Sequence, residues 1–201
     1  MERGNLLFCG VGGQGILLAS ELTAHALLAT GHDVKKSEIH GMSQRGGLVE
    51  AHLRFGPKVY SPVNELGTVN IELAFETLEA VRYLQYLNKA SIVIVNTQHI
   101  LPPDVATGKT TYPDDCLEEL TSRGITVVPV NGYQIAREIG NVRTANVVMV
   151  GALSQFIGVD ADIFSEVINR LLPAKLVDIN TEAFLAGRAV TKKHTMPADR
   201  R

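Results

Sequence analysis

Apolar residues along the chain fall into short unbroken runs, separated by longer stretches with helical spacing. Residues 5–10 form an apolar run that ends at Gly10 and reads as a buried strand. A tight glycine loop follows. Residues 16–30 are rich in Ala and Leu on nearly every face, which predicts a well-buried helix stopped by Gly31. A second strand is predicted over 34–39. Strand, glycine loop, helix and strand in succession argue for a parallel sheet.

Residues 48–55 partly alternate, with Val49, Ala51, Leu53 and Phe55 on one face, which predicts a half-buried strand. Gly56 and Pro57 turn the chain, and Val59-Tyr60 reads as a short strand paired back on it. Further strands are predicted over 69–75, 91–95 and 125–130. The Ile92-Val93-Ile94-Val95 run is the clearest, because β-branched residues suit a pleated surface. Helices are predicted over 76–87, 115–122, 133–139, 146–157, 161–172 and 177–193, the last with Asp178 and Thr181 as caps. The expected architecture is a three-layer α/β/α Rossmann-like domain with a mostly parallel sheet. It forms one domain over 1–201, with a polar, frayed tail at 194–201.

The chain has 201 residues, enough for one domain that buries roughly 70% of its unfolded surface. With 45% hydrophobic and 20% charged residues, it has the balance of a globular protein. A net charge of −2 and no long basic run argue against nucleic acid as a partner. No run approaches the ~18 apolar residues of a membrane helix, and the start lacks the order of a signal peptide, so the cytoplasm is expected. Cys9 and Cys116 are too few to hold an iron–sulfur cluster. Cys9 reads as a small buried hydrophobe, and nothing around Cys116 would activate it.

Gly10-Val11-Gly12-Gly13-Gln14-Gly15 satisfies G-x-G-x-x-G between a strand and a helix. Glycines permit close approach, and a helix N-terminus offers free N–H groups and partial positive charge to an anion. Glu38, at the end of the second strand, stands about where a dinucleotide site wants an acid for ribose hydroxyls. The alternative is that the glycines only make a tight turn. A second polar loop, Ser37-Glu38-Ile39-His40-Gly41-Met42-Ser43-Gln44-Arg45-Gly46-Gly47, is rich in Ser, Glu, His, Gln and Arg and reads as a site-forming loop, the alternative being a solvated connection. It is expected at the carboxyl end of the second strand, near the first loop, where open α/β sheets bind ligands. His40 and His52 lack the partners a metal site needs, so no metal is expected. His25 reads as a core histidine, and Glu76 and Glu79 as a solvated helix start.

These two motifs together resemble the gamma subunit, or gamma domain, of 2-oxoacid:ferredoxin oxidoreductases. The Glu38-x-His40-Gly41-Met42-x-Gln44-Arg45-Gly46-Gly47 form, Val59-Tyr60-Ser61-Pro62 and Val93-Ile94-Val95-Asn96-Thr97 are similar to the beta subunit of the indolepyruvate branch. Gly140, Asn141, Arg143, Asn146 and Gly151 also resemble the family, so the resemblance spans 5 to about 190.

The resemblance implies a reaction of a 2-oxoacid, coenzyme A and oxidised ferredoxin to give acyl-CoA, carbon dioxide and reduced ferredoxin. Thiamine diphosphate, magnesium and iron–sulfur clusters are expected on a large alpha subunit, and none on this chain alone. Ferredoxin is reached through the complex. Carried over by residue, the expected site comprises Gly10, Gly12, Gly13, Gln14 and Gly15 with Glu38, His40, Gln44, Arg45 and Gly46. Backbone amides of 12–15 and the Arg45 fork would face a coenzyme A phosphate or a partner carboxylate. A subunit that needs a partner also implies exposed apolar surface, with 41–48 and 59–66 as candidates. Two rivals stand beside this reading: a stand-alone NAD(P)- or flavin-binding Rossmann protein, and an assembly module without a ligand.

Overall fold

The structure, a computed structural model, describes residues 1–40 and 47–193. In chain order it comprises β1 (Gly4–Val11), α1 (Ile16–Ala29), β2 (Asp33–His40), β3 (Leu48–Gly56), β4 (Ile71–Ala74), α2 (Thr77–Arg82), β5 (Ile92–Asn96), α3 (Pro103–Ala106), α4 (Cys116–Ser122), β6 (Thr126–Val130), α5 (Gly132–Ile139), α6 (Ala145–Ile157), α7 (Ala161–Leu171) and α8 (Ala174–Thr191). Single 3-10 turns lie at Leu84–Tyr86 and Val142–Thr144.

The six strands order as β2-β3-β1-β4-β5-β6. β1, β4, β5 and β6 are parallel neighbours, and β3 alone runs against both β1 and β2. The mostly parallel α/β sheet is as expected. The succession of strand, helix and strand does not, however, bring β2 against β1, because β3 lies between them.

Burial on both faces explains the unbroken apolar runs. Leu6 and Phe8 of β1 face α1 and α6, whereas Leu7 and Cys9 face α2 and α4. Burying each such large side chain contributes about 1.5–3 kcal/mol. One layer holds α1, α5, α6, α7 and α8, and the other holds α2 and α4. α6 is apolar all round because it is enclosed, with α8 laid along it. Their axes approach closely where glycines meet carbonyls. A Cβ at Gly151 would overlap the Phe184 oxygen, and one at Gly187 would overlap the Val148 oxygen.

Several expectations are corrected. Val59-Tyr60 is not a strand; its backbone is held instead by the Asp33 carboxylate, which accepts from the Val59 N–H at 3.0 Å. The helix expected over 76–87 breaks after Arg82 into the 3-10 turn. α8 begins after Pro173, which fixes its own φ and leads the helix in, so Asp178 and Thr181 lie inside the helix rather than capping it. His25 is half-exposed on α1, with Nε2 3.1 Å from Glu21 Oε1 and Nδ1 3.2 Å from Arg170. Pairing with charged neighbours keeps it at the surface.

Candidate functional site

The glycine loop leaves β1 at Val11 and enters α1 at Gly15. Its shape is set by Gln14, whose Oε1 accepts from the Val11 N–H at 2.8 Å and whose Nε2 donates to the Phe75 carbonyl at 2.7 Å. Gly10 makes room for this side chain: a Cβ there would lie 2.7 Å from Gln14 Oε1 and 2.9 Å from Phe75 Cβ. Gly15 has φ +78° and sits under Asn146, whose Nδ2 donates to the Gly15 carbonyl at 3.3 Å. Asn96, at the end of β5, donates to the same Phe75 carbonyl at 3.2 Å and accepts from the Gly132 N–H at 3.1 Å. Two side-chain amides thus tie the carboxyl ends of β1, β4, β5 and the turn after β6 into one rim.

A cleft of about 450 Å³ opens at that rim, lined by Gly12, Gly13, Gln14, Asn96, Gln98, Tyr133, Arg143 and Asn146 among others. α1, α5 and α6 all begin beside it. No side chain caps α1 or α6, and neither has an acid in its first turn. Each helix start carries roughly half a positive charge. Arg143 adds a full one, and among the described residues the lining holds no Asp or Glu. The charge near the cleft is therefore positive on balance.

The second loop borders the same rim. The Gly12 N–H donates to the Gly47 carbonyl at 2.8 Å, Val11 pairs with Leu48, and His40 pairs with Val49. Gln44, Arg45 and Gly46 lie outside the described residues, and of His40 only the backbone is described. Glu38 faces Ala51 in register, two strands from β1, or about 10 Å at the usual strand spacing. Its carboxylate pairs with Lys36 at 2.7 Å, and Lys36 also pairs with Glu21 of α1. An acid placed and paired in this way does not sit beside the glycine loop as a dinucleotide site requires.

Sequence reasoning missed the polar layer beneath α2. Glu76 and Glu79 are not solvated but 1% and 3% exposed. Glu76 Oε2 accepts from the Leu78 and Glu79 N–H groups at 2.8 and 3.1 Å and so caps α2. Its Oε1 accepts from the Tyr112 hydroxyl at 2.5 Å and the Ile100 N–H at 3.2 Å. Glu72, in the middle of β4, is wholly buried and accepts from the Cys9 thiol at 3.2 Å. Burial pushes Glu72 up to about 8 and Glu79 up to about 6, and it raises the Cys9 thiol well above its ordinary range. The one available clue was a glutamate inside the apolar run 69–75.

A groove of about 340 Å³ lies between this layer and the rim, lined by Val11, Leu48, Glu79, Arg82, Ile100 and Leu101. A larger one, about 800 Å³, lies at the far end of β1, around Arg3, Arg54 and Lys58. Tyr60, Val63 and Leu66 are exposed at 89%, 44% and 65%, and Leu48 at 45%. The segment 59–66 therefore presents the apolar surface expected of it, except at buried Val59.

A mostly parallel six-stranded sheet with helices on both faces and two side-chain amide ties at its strand ends defines an α/β domain of Rossmann-like type. The chain belongs to the pyruvate ferredoxin/flavodoxin oxidoreductase family, whose model matches residues 5–190. It is similar to the indolepyruvate oxidoreductase subunit IorB of Pyrococcus horikoshii, at 42% identity over 96% of this chain and 98% of that one. It is also similar to the subunit of the same name from Archaeoglobus fulgidus, at 40% identity over 92% and 94%. This is the family, and the branch, that the motifs resemble.

Solved structures share the fold. The gamma subunit of a keto/oxoacid ferredoxin oxidoreductase from Geobacter sulfurreducens superposes with a TM-score of 0.70 at 20% identity, covering 93% of this chain and 97% of that chain. The 2-oxoglutarate:ferredoxin oxidoreductase of Magnetococcus marinus gives 0.76 at 21% identity, covering 96% of this chain but 32% of that longer one.

Proposed function

We propose that the chain is the small subunit of a 2-oxoacid:ferredoxin oxidoreductase acting on an aryl pyruvate of the indolepyruvate type, and that its rim cleft receives a phosphate of coenzyme A. The observation that carries the ligand assignment is a cleft bearing Arg143 and helix starts but no carboxylate. Family membership and the names of the relatives support the reaction class. The Magnetococcus marinus enzyme is described with 2-oxoglutarate, coenzyme A and succinyl-CoA bound, which supports a phosphate-bearing ligand for this kind of complex.

In this reading the redox centres sit on a larger alpha subunit. Thiamine diphosphate with magnesium supplies carbon–carbon cleavage there, and iron–sulfur clusters pass electrons to ferredoxin. The cysteines of this chain do not fit a cluster. Cys9 is buried and bonded to Glu72, and Cys116 is buried and donates to the Pro113 carbonyl at 3.3 Å. This chain's own part is to bind and orient. The Gly13 N–H, the N–H groups that open α1 and the Arg143 guanidinium hold the phosphate, and Gln14 and Asn96 keep the strand ends from shifting under it. Arg45, from the loop beside Gly47, is proposed as a second clamp on the same anion. No described helix is long and apolar enough to cross a membrane; a cytoplasmic location is a separate part of this proposal.

The test is steady-state kinetics of the reconstituted complex. Arg143→Ala is expected to raise KM for coenzyme A about 5- to 20-fold, the loss of one charge-assisted hydrogen bond at an exposed position, with KM for the 2-oxoacid unchanged. An unchanged coenzyme A KM together with weakened subunit association would favour the ligand-free assembly role instead.

A further inference from the structure

The sheet face beneath α2 carries ionisable groups that the proposed function leaves unused. β1 turns Cys9 to this face, β3 turns Glu50 and His52, and β4 turns Glu72. Over them α2 lays Glu79, with Glu76 and Arg82 at its two ends, and the chain then adds Tyr83 and Tyr86. The His52 and Tyr86 rings meet edge to face at 5.2 Å. Tyr112 closes the layer on Glu76 from the loop side, and Cys116 stands nearby at the start of α4.

The charges in this layer do not balance if every carboxyl is ionised. His52 Nδ1 accepts from the Asn64 N–H at 3.2 Å, and its Nε2 lies 3.6 Å from Glu50 Oε1, so this ring pairs with Glu50. Arg82 is the one arginine or lysine among the groups named above. Its Nε already donates to Glu79 Oε1 at 2.9 Å. Glu76 has four donors of its own. Glu72 has one weak donor, the Cys9 thiol, and no cation. The remaining oxygens, Glu72 Oε2 and Glu79 Oε2, are sealed from solvent and unpaired. An ionised carboxylate in so dry a site costs several kcal/mol, at order of magnitude, and takes up a proton instead.

We propose that Glu72 carries a proton in the folded protein, and that this proton latches α2 onto the sheet. When it leaves, a buried negative charge lies beside Glu79, and α2 lifts to let water in. α2 does not move alone. Arg82 and Glu79 line the groove beside Val11, and Glu76 holds the Ile100 backbone that forms its opposite wall. The latch therefore makes one wall of that groove responsive to pH, independently of what the rim cleft binds.

The upper end of the pH window follows from burial, which pushes Glu72 up to about 8. The sign is that of an acid raised in the closed state. When α2 is undocked, Glu72 ionises near its ordinary value of 4.5. Closure therefore weakens progressively as pH climbs from there to about 8, and changes no further above it.

Hydrogen exchange on the full chain tests this. After correction for intrinsic rates, protection of the peptide spanning 77–86 is expected to fall on the order of 100-fold between about pH 6 and pH 9, while α7 stays level. Glu72→Gln is expected to remove this slope. Equal protection at both ends of the range, or the same slope in Glu72→Gln, would overturn the latch. Should Glu72→Gln not fold, infrared spectroscopy of the wild-type chain decides. A protonated-carboxyl stretch present at neutral pH and lost above about pH 8 supports the proposal, and its absence at neutral pH overturns it.

Discussion

The Gln14 side chain reaches from the glycine loop to the backbone carbonyl of Phe75, 61 residues further on, and donates to it at 2.7 Å. The same carbonyl accepts from Asn96 at 3.2 Å. One backbone oxygen at the end of β4 is thus the shared anchor of the loops after β1 and β5. Each of these strand ends is fixed by a side-chain amide.

Gln14→Ala removes both hydrogen bonds of that amide and leaves the Val11 N–H and part of the Phe75 carbonyl unpaired. The expected loss is about 1–3 kcal/mol. For a chain of this length, that lowers Tm by roughly 2–4 °C for each kcal/mol. Thermal unfolding measures it. Gln14→Glu keeps the acceptor for Val11 but brings negative charge to the cleft, so it is expected to weaken coenzyme A binding more than Gln14→Ala does.

Gly187→Ala places a methyl group against the Val148 carbonyl where α8 crosses α6. The neighbour is backbone inside a helix and cannot swing aside. Overpacking of this kind costs about 1–3 kcal/mol or more. Urea unfolding is expected to show a lower midpoint, while Gly124→Ala, at a turn whose nearest neighbour is the flexible Lys89 side chain, gives a smaller loss arising from its φ of +79° alone.

Glu76→Ala strips the cap from α2 and leaves the Tyr112 hydroxyl and the Ile100 N–H without their acceptor. The combined loss is expected to reach about 2–4 kcal/mol, more than the ~1 kcal/mol of an exposed cap. Glu76→Gln, which keeps one acceptor oxygen, is expected to recover part of it. Denaturant titration of the three proteins orders them.

Glu38 is separated from β1 by β3 and is held by Lys36. NAD is therefore expected not to raise the Tm of the chain, and Glu38→Ala not to alter that result. A thermal shift with NAD that disappears in Glu38→Ala would restore the dinucleotide reading.

Much of the fold is legible because local pattern and final burial agree. The runs that became β1 and β5 are covered on both faces, and the all-apolar stretch that became α6 is enclosed. What local pattern could not show is who meets whom. The position of β3 between β1 and β2 follows from strand pairing, which the succession of elements does not encode. Glu76 and Glu79 look solvated in sequence because charge usually is. Their burial depends on Ile100 and Tyr112, the latter 36 residues away. His25 looked interior because α1 is apolar nearly all round, yet it stands where α1 meets Arg170 of α7.

The candidate site divides in the same way. The glycine motif marked the loop and Gln14, but it did not reveal that Gln14 points back to brace Phe75. Arg143 and Asn146 stood out only through resemblance. Their place in the cleft comes from α6 starting beside α1, a contact between residues 131 apart in sequence.

Hydrogen exchange of the assembled complex, with and without coenzyme A, tests the central claim most directly. Binding is predicted to protect the amides of 12–18 and 143–147, and Arg143→Ala is predicted to need about 5- to 20-fold more coenzyme A to reach the same protection. Protection confined to the larger subunit, with 12–18 and 143–147 unchanged at saturating coenzyme A, would contradict it.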